Sequence, residues 1–557
     1  MGKKKIIIGC SIGNCVHVAG VSHFLSLSEK EGYKAIFLGP AISVEKLFYE
    51  IKKYKPDIIT IGYRLTPENV DSLLNQVNIK RQSLSYVPVW VFGGTKPVAK
   101  VARKYKMFSY ISDGSDDIND AIRFFRGDKK NRYKESYGKN LKDRIKENYP
   151  YPILRHHFGL PSIEDTLKGV EKISKAKILD VISLGPDQNA QQYFFQPQKM
   201  QKQFDGAGGV PIRTIDDLSN LKQASKCGNY PLMRCYSGTE DVFKYANMLI
   251  DTIDNAWTAI PLCWYNELDR RGTRPIEKSI LEAQHLIKWH AQRNIPVEIN
   301  EPHHWGLRDA HDVISVVMSY ISAYNAKKLG VKNYVAQYMF NNPNGLSFSM
   351  DLARVLAMIE LVESLEDENF KTYRQTRAGL PLFSSDICIA KGQLAASTFM
   401  QMAVKPHIIH VVSYCEADHV ASASEVIESC KIVKGVIKHT LSDDFSLEKD
   451  QKIINRKKEL VKEAKVLLDF IQNRFKDYKD PLANSKVIEQ SIKNGYIDAV
   501  HIVKNKKFRG DLTTKIVDGK CVAYDKKTGK IINEMSRIEK LVKNEESQNK
   551  YEVFRAK

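Results

Sequence analysis

The sequence lacks the features that define several protein classes. It has no apolar, uncharged run of about 18 residues, and its mean hydropathy is −0.37, so no membrane span is predicted. Its nine cysteines are odd in number and form no CxxC pair, which favours free thiols in a reducing cytoplasm over a disulfide framework. The apolar run IIIGC near the start is too short for a signal-peptide core and predicts a first β-strand instead.

Positive charge is the most prominent feature that is present. The 557 residues include 85 Lys and Arg against 65 Asp and Glu, a formal net charge of +20. Such an excess first suggests a nucleic-acid partner. The lysines, however, are spread over 127–149, 432–478 and 534–550, without the interleaved aromatic residues on which bases stack. We therefore predict no nucleic-acid partner and a folded protein that acts on a small molecule.

The first part of the chain alternates apolar strand-like segments with helical segments. The strand-like segments are 5–11, 35–39, 57–63, 87–94 and 108–114. Strands that are apolar throughout and separated by helices are typical of a doubly wound parallel sheet. The sequence thus predicts an α/β, flavodoxin-like domain over 1–126, followed by a charged linker or surface helix over 127–150.

A second and longer α/β series follows. Eight strands with helical returns are the number that a (β/α)8 TIM-type barrel requires, and we predict such a barrel over 151–504. The remaining residues, 505–557, predict a small C-terminal extension with a hairpin and a charged helix. The eight predicted strands are 177–184, 230–236, 256–263, 295–300, 333–338, 386–390, 407–413 and 496–502.

A histidine lies on the loop after the first strand. Ligands of doubly wound sheets bind at the carboxyl ends of the strands, so His17 is placed to reach a ligand there, although for an isolated histidine a surface or helix-capping role is the commoner one. The run Cys15-Val16-His17-Val18-Ala19-Gly20 resembles the Asp-x-His-x-x-Gly signature of cobalamin-binding domains. The resemblance implies that His17 is the axial ligand to the cobalamin cobalt, replacing the cofactor's own dimethylbenzimidazole.

Two further positions carry this resemblance. Tyr63-Arg64-Leu65 stands where the family has a Ser-x-Leu motif, and Gly93-Gly94 stands where a glycine pair lets the nucleotide tail pass close to the backbone. Two residues depart from the family. Cys15 replaces the aspartate, and a thiol orients the imidazole more weakly than a carboxylate does. Tyr63 replaces the smaller serine, and a degenerate domain that has lost its cofactor is the alternative.

A second resemblance lies in the barrel region. It is carried by Arg234 with 237–239, 256–258, Tyr265-Asn266, 276–279, 299–302, 329–333 and Glu416-Ala417. With these positions the region resembles the large component of glutamate mutase (methylaspartate mutase), and with the first domain the whole chain resembles both components fused, the small one first. The resemblance implies an isomerase that uses adenosylcobalamin, forms a 5′-deoxyadenosyl radical and rearranges a small carboxylate or amino acid, in a homodimer.

The family clamps its dicarboxylate substrate with three arginines, because planar guanidinium groups suit carboxylates. Arg234 matches one of them, Arg155 falls near another, and Gln191 stands where the remaining one would be. Tyr265 matches a substrate-site tyrosine, and Glu416 matches an acid that contacts the adenosyl ribose. Ordinary structural roles remain open alternatives: an ion pair for Arg234, packing for Tyr265 and helix capping for Glu416.

New polar residues stand on predicted loops after the barrel strands, where substrate contacts belong. Arg271, in the arginine-rich loop 270–274, could form part of an anion clamp or be solvated. Glu301 is a candidate substrate ligand, and together with His303-His304 it could bind a metal, although no HxH or HxxxH spacing supports one. Alternative functions are a corrinoid methyltransferase, an aminomutase or a non-catalytic cobalamin-binding protein.

Overall fold

The structure is a computed structural model that describes residues 5–116, 118–126, 137–236, 238, 240–441, 446–502, 508 and 511–555. The chain divides into two compact units. The first comprises residues 1–134 with 438–444, and the second comprises 135–437 with 445–557. Residues 127–136 of the predicted linker lie outside the described residues.

The first unit contains a five-stranded parallel sheet in the order β2-β1-β3-β4-β5. This is the flavodoxin-like order, as the sequence predicted. Strand β3 is buried along its whole length, because helices cover both faces of such a sheet. The strands are β1 Ile6–Ile12, β2 Lys34–Ile42, β3 Ile58–Tyr63, β4 Val89–Gly94 and β5 Phe108–Ser112, and the helices are α1 Ala19–Lys30, α2 Val44–Tyr54, α3 Pro67–Lys80, α4 Lys96–Ala102 and α5 Ile118–Arg126.

The second unit contains an eight-stranded parallel sheet that is nearly closed into a barrel. Its order is β8-β7-β6-β13-β12-β11-β10-β9, with β8 and β9 at the two ends. The predicted TIM-type architecture is therefore confirmed. The strands are β6 Ile153–Phe158, β7 Val181–Leu184, β8 Leu232–Cys235, β9 Thr258–Ile260, β10 Val297–Ile299, β11 Asn333–Phe340, β12 Lys371–Ala378 and β13 Ile408–His410.

Helices surround this sheet, and an antiparallel hairpin of β14 Thr514–Val517 and β15 Lys520–Ala523 precedes the last of them. No helix among the described residues is long and apolar enough to cross a bilayer. The helices are α6 Leu141–Asn148, α7 Ile163–Lys175, α8 Gln188–Tyr193, α9 Ile215–Ala224, α10 Val242–Ile253, α11 Ile276–Gln292, α12 Glu301–Gly306, α13 Asp312–Lys328, α14 Phe348–Glu363, α15 Ile387–Met402, α16 Ala423–Thr440, α17 Gln451–Arg474, α18 Ser485–Lys493 and α19 Glu534–Arg555.

Two of the eight predicted barrel strands are wrong. Segment 386–390 begins helix α15, because Asp386 caps it by accepting hydrogen bonds from the backbone N–H groups of Cys388 and Ile389. Segment 496–502 ends in a short 3₁₀ turn instead of a strand. The two remaining strands of the barrel are β6 and β12. Neither of them was predicted, since polar side chains interrupt the apolar pattern in both segments.

The amino ends of the barrel strands close the barrel with apolar side chains. Arg144 of α6 is buried below them and donates hydrogen bonds to the carbonyls of Asn229 and Tyr230, at 3.2 and 2.7 Å. Helix α6 thus packs against the barrel although most of its residues are charged. The closing layer consists of Leu141, Ile153, Val181, Leu232, Trp257, Val335 and Ile408. The functional residues are therefore expected at the carboxyl ends of the strands, as in other barrels of this type.

A buried charge cluster fastens helix α19. Glu534 accepts a hydrogen bond from His311 at 2.8 Å and pairs with Arg537, and all three side chains are buried. Burial alone would raise the pKa of Glu534, but the charges of Arg537 and His311 outweigh it and lower the pKa to about 2. The carboxylate therefore contributes stability above its unfolded pKa of about 4 and loses that contribution as the pH falls toward 2.

We expect Glu534→Gln to lower the free energy of unfolding by about 3 kcal/mol at neutral pH, because it removes the main counter-charge of the buried Arg537. Urea unfolding followed by circular dichroism measures this effect. The matched control is Glu539→Gln, an exposed position on the same helix, which we expect to change stability by less than about 0.5 kcal/mol. Equal stability of the two variants would contradict the assigned role of Glu534.

Candidate functional site

A cavity of about 370 Å³ opens in the first unit, at the carboxyl ends of β3, β4 and β5 and beside α1. Its volume falls within the range of small-molecule pockets, and its position is where doubly wound sheets bind ligands. Five residues that the sequence analysis singled out line it: His17, Gly20, Tyr63, Gly93 and Gly94. Leu65 is 38% exposed and does not line the cavity.

Because glycines line part of this cavity, it extends up to the protein backbone. A Cβ atom added to Gly20, Gly93 or Gly114 would meet no atom within 4 Å, so the space beside these residues is open. A Cβ added to Gly94 would lie 2.6 Å from the carbonyl oxygen of Tyr63. The two adjacent glycines thus differ: Gly93 leaves room for a ligand, and Gly94 lets β4 pack against β3.

His17 is exposed on the loop between β1 and α1. The loop is held by Ser11, whose Oγ donates a hydrogen bond to the His17 carbonyl at 2.8 Å. Cys15 is buried, and its Sγ lies 3.8 Å from His17 Nδ1, a weak sulfur hydrogen bond. Because the thiol engages Nδ1, Nε2 is the ring nitrogen available to an external ligand.

Tyr63 is the second residue that departs from the cobalamin-domain pattern, and it supports the same loop. It is fully buried at the end of β3, and its hydroxyl donates a hydrogen bond to Asn14 Oδ1 at 3.0 Å. Asn14 belongs to the loop that carries His17. The large Tyr63 side chain therefore links the end of β3 to the loop that carries His17.

The barrel interior is polar toward its carboxyl end. Arg155 of β6 is buried, and its guanidinium donates to Ser183 Oγ at 2.8 Å and to Gln337 Oε1 at 3.3 Å. The same group contacts His410 Nδ1 at 2.8 Å. These partners come from strands β7, β11 and β13, so the Arg155 side chain reaches across the inside of the barrel.

Arg234 of β8 is also fully buried. None of its three guanidinium nitrogens has a hydrogen-bond partner among the described residues. The nearest carboxylate oxygen, Glu298 Oε2, lies 3.8 Å from Nη1 and already accepts a hydrogen bond from Trp257 Nε1 at 2.7 Å. The guanidinium otherwise faces the rings of Trp257 and Tyr236, at 4.9 and 5.5 Å from their centroids.

Arg377 of β12 is a third arginine of this interior, and the sequence analysis missed it. It pairs in register with His410 of β13, and its buried Nε has no hydrogen-bond partner in the described parts of the chain. It was missed because its strand was not recognised. The available signal was the spacing of two between Gln375 and Arg377, which puts both on one face of the strand, and Gln375 donates to Gln337 of the neighbouring strand β11 at 3.1 Å.

The histidines of the interior do not add positive charge. Burial first, and then the charges of the arginines, hold the pKa of His157 and His410 well below the usual range. The same causes lower the pKa of His303 to about 3. Near neutral pH these imidazoles are therefore uncharged hydrogen-bonding groups.

The buried positive charge of this interior exceeds the negative charge. Burial first, and then the charge of Arg234, lower the pKa of Arg155, but guanidinium groups stay protonated in proteins. The two fully buried arginines, Arg155 and Arg234, face the buried carboxylate of Glu298, which leaves one positive charge in excess. The partly buried Arg377 interacts with the carboxylate of Glu416. Buried charge without a partner is strongly unfavourable. Such an arrangement can bind an anion, and guanidinium groups suit carboxylates in particular.

Three other predicted residues form a separate group on the loops after β9 and β10. Arg271 lies 4.0 Å above the ring of Tyr265 and pairs with Asp269 at 2.8 Å. Tyr265 has a positive φ of 65°. Both carboxylate oxygens of Glu301 are engaged, by the backbone N–H of Cys263 at 2.8 Å and by Trp305 Nε1 at 3.0 Å. Glu301 thus fixes the loop after β9.

The two remaining predicted residues lie on other loops at the carboxyl ends. Gln191, in α8 after β7, donates a hydrogen bond to the carbonyl of Pro186 at 2.9 Å. Glu416, after β13, pairs with His156 at 2.9 Å and accepts from the N–H of Ser413 at 2.7 Å. Burial acts to raise the pKa of Glu416, but these contacts and the charge of Arg377 hold it below the usual value.

The chain matches no protein-family model and no curated protein. One similar solved structure is a cobalamin-binding protein from Desulfitobacterium hafniense DCB-2, at 17% identity and a TM-score of 0.19, covering 22% of this chain and 57% of that one. Another is OxsB, a cobalamin-dependent S-adenosylmethionine radical enzyme, at 10% identity and a TM-score of 0.18, covering 78% of this chain and 56% of that one. Both matches span little more than half of the neighbour, and at these TM-scores neither bears on function.

Proposed function

We propose that this chain is an adenosylcobalamin-dependent carbon-skeleton mutase, an isomerase that acts on a small dicarboxylate or acidic amino acid. The observation that carries the proposal is the glycine-walled cavity with the exposed His17 beside it. This is where the resemblance to cobalamin-binding domains puts the axial ligand and the nucleotide tail. The proposed compartment is the cytoplasm, and the proposed assembly is a homodimer.

The residues of the first unit fit this cofactor. His17 Nε2 would coordinate cobalt, while Cys15 holds Nδ1 by its weak hydrogen bond. Gly20, Gly93 and Gly114 would let the nucleotide tail pass along the backbone, since each faces open space. Bound adenosylcobalamin supplies a carbon radical that abstracts hydrogen from a substrate.

The barrel residues supply the substrate site in this proposal. Arg155, Arg234 and Arg377 would bind the carboxylates of the substrate, since the two fully buried arginines carry one positive charge more than Glu298 balances. Arg377 would thus provide the third guanidinium that is missing at Gln191. The surrounding strands exclude water from this site, which strengthens each charge–charge contact.

A hydrogen-bonded tyrosine–histidine pair at the same end of the barrel can form a hydrogen bond with a substrate. The hydroxyl of Tyr236 lies 2.7 Å from His157 Nε2, and the two rings stack at 5.0 Å. Burial raises the pKa of Tyr236, so the phenol is neutral and able to donate a hydrogen bond. We propose that this pair hydrogen-bonds the polar group of the substrate that the arginines do not hold.

The test is a spectroscopic titration of cofactor-free protein with adenosylcobalamin. We expect the spectrum of a corrin whose lower ligand is a histidine, and we expect His17→Ala to weaken binding by about 100-fold or more, because it removes the ligand to the metal. The matched control is His285→Ala, an exposed histidine of α11, which should bind as the unmodified protein does. Absence of binding, or an unchanged spectrum in His17→Ala, would overturn the proposal.

A second measurement separates a mutase from a corrinoid methyltransferase. Electron paramagnetic resonance of the adenosylcobalamin-loaded protein with succinate, glutamate or methylaspartate should show a radical signal with at least one of them. Methyl transfer from methylcobalamin, together with the absence of a radical signal for all three acids, would favour the methyltransferase function over the mutase function.

A further inference from the structure

A cluster of a thiol, an imidazole and a carboxylate lies on the loop between β13 and α16 and at the start of α16. We propose that Cys415, His419 and Glu425 form a binding site for a zinc ion. Their ligand atoms, one from each residue, all lie within 4.8 Å of one another. This proposal does not depend on the proposed mutase activity.

The backbone holds two of the ligands on one side of the loop. The N–H groups of Asp418 and His419 both donate to the carbonyl of Cys415, at 2.9 Å each, so the segment makes a helical turn. Residues four apart on such a turn lie on the same side. Cys415 and His419 are therefore neighbours because of the turn itself.

The start of helix α16 fixes the third ligand. The N–H of Ser422 donates to Glu425 Oε2 at 2.8 Å, and Ser422 Oγ accepts from the N–H of Glu425 at 3.4 Å. This reciprocal pair is a capping box. It occupies Oε2 and leaves Oε1 directed at His419 Nε2, 2.8 Å away.

The imidazole is oriented as in metal sites. Asp418 Oδ2 lies 2.8 Å from His419 Nδ1. A carboxylate on one ring nitrogen fixes the tautomer and makes the other nitrogen a better metal ligand. A zinc ion would take the place of the proton between Nε2 and Glu425 Oε1 and of the thiol proton of Cys415, and two protons would be released to solvent.

The charge around the cluster favours a cation. The carboxylates of Glu425, Glu416 and Asp418 lie near the Cys415 thiol, so the surroundings are electronegative. Thiolate, imidazole and carboxylate together are ligands that zinc accepts, at bond lengths of about 2.0–2.3 Å. A tetrahedral ion with these bonds separates its ligands by roughly 3.3–3.8 Å, so Cys415 and the exposed His419 need to shift by about 1 Å.

Three protein ligands leave the fourth tetrahedral position for water. Sites of this composition are the open type of zinc site, as distinct from the closed four-ligand type that only stabilises a fold. The loop stands at the carboxyl end of β13, the end of the barrel where ligands are bound. The proposal is therefore an exchangeable zinc site with one coordinated water.

The experiment uses the full, cobalamin-free chain after treatment with a chelator. Titration with zinc sulfate against a chromophoric chelator should give one tight site per chain, and Co²⁺ as a probe should give a thiolate-to-cobalt absorption band with a tetrahedral visible spectrum. Cys415→Ser should remove the thiolate band, and His419→Ala and Glu425→Gln should each weaken zinc binding by about 10-fold to 100-fold or more. The matched control is Cys388→Ser, an exposed thiol outside the cluster, which should leave both readouts unchanged.

Two results would overturn the zinc site. One is a thiolate-to-cobalt band that persists in Cys415→Ser. The other is zinc affinity that is the same in His419→Ala as in the unmodified chain. His419 is exposed, so His419→Ala tests the site even where Cys415→Ser, which changes a buried residue, does not fold.

Discussion

Replacing Arg234 with methionine should make the barrel more stable by about 1–4 kcal/mol and abolish its binding of dicarboxylates. The buried interior holds the guanidinium groups of Arg155 and Arg234 against the one carboxylate of Glu298, and Arg234 has no hydrogen-bond partner in the described structure. Removing a buried charge that lacks a good partner relieves more desolvation and repulsion than it loses in attraction. Glu298 keeps a favourable charge interaction with Arg155 in the variant.

The matched control is Arg354→Met, because Arg354 is equally buried but well paired. Its guanidinium donates to Asp351 Oδ1 at 2.6 Å and to the carbonyl of Met339 at 2.7 Å. Removing it leaves Asp351 buried without its partner, and we expect a loss of about 3–5 kcal/mol. Two buried arginines should thus respond to the same substitution with opposite signs.

Urea unfolding measures both stabilities, and thermal unfolding with succinate or glutamate measures binding. A ligand at a hundred times its Kd stabilises the folded state by about 2.7 kcal/mol. The unmodified chain should show such a shift with at least one of these acids, and Arg234→Met should show none. A destabilised Arg234→Met that still responds to the acid would place Arg234 among the structural ion pairs.

The second large effect concerns the cavity of the first unit. Gly93→Leu should weaken cobalamin binding by about 100-fold, or 2.7 kcal/mol, while leaving the stability of the fold within about 0.5 kcal/mol of the original. The leucine side chain would enter the open space that lines the cavity, since a Cβ at Gly93 meets no atom within 4 Å. Its Cβ would meet no protein atom, and the rest of the side chain would compete with the cofactor's tail for this space.

Two controls isolate this effect. Gly392→Leu, on α15, places the same side chain where a Cβ also meets nothing, and it should leave cobalamin binding unchanged. Gly94→Ala should destabilise the first unit, because its Cβ would lie 2.6 Å from the carbonyl oxygen of Tyr63. Spectroscopic titration gives the affinities, and chemical unfolding gives the stabilities. Full cobalamin affinity in Gly93→Leu would show that the tail does not occupy this cavity.

The two units differ in how well their strands could be predicted. In the first, all five strands were predicted at their observed places, because a parallel sheet covered on both faces needs continuous apolar runs such as that of β3. In the second, the number of strands was right, but β6 and β12 were missed. Their sequences, ILRHHF and KTYRQTRA, carry arginine, histidine and glutamine toward the barrel interior, where an apolar pattern is usually expected.

The candidate sites of the two units also differ in how much of each could be predicted from the sequence. The sequence by itself determined the loop of His17, the glycine pair and the strands of the first sheet, because these depend on residues that are close along the chain or on a regular apolar pattern. The resemblance suggested Arg155 and Arg234 as members of one clamp, but only the tertiary structure added Arg377 to their interior, since the three stand on strands separated by about 80 and 140 residues. Whether the charges in a buried space balance depends on which side chains lie there together, and a local sequence pattern does not predict this.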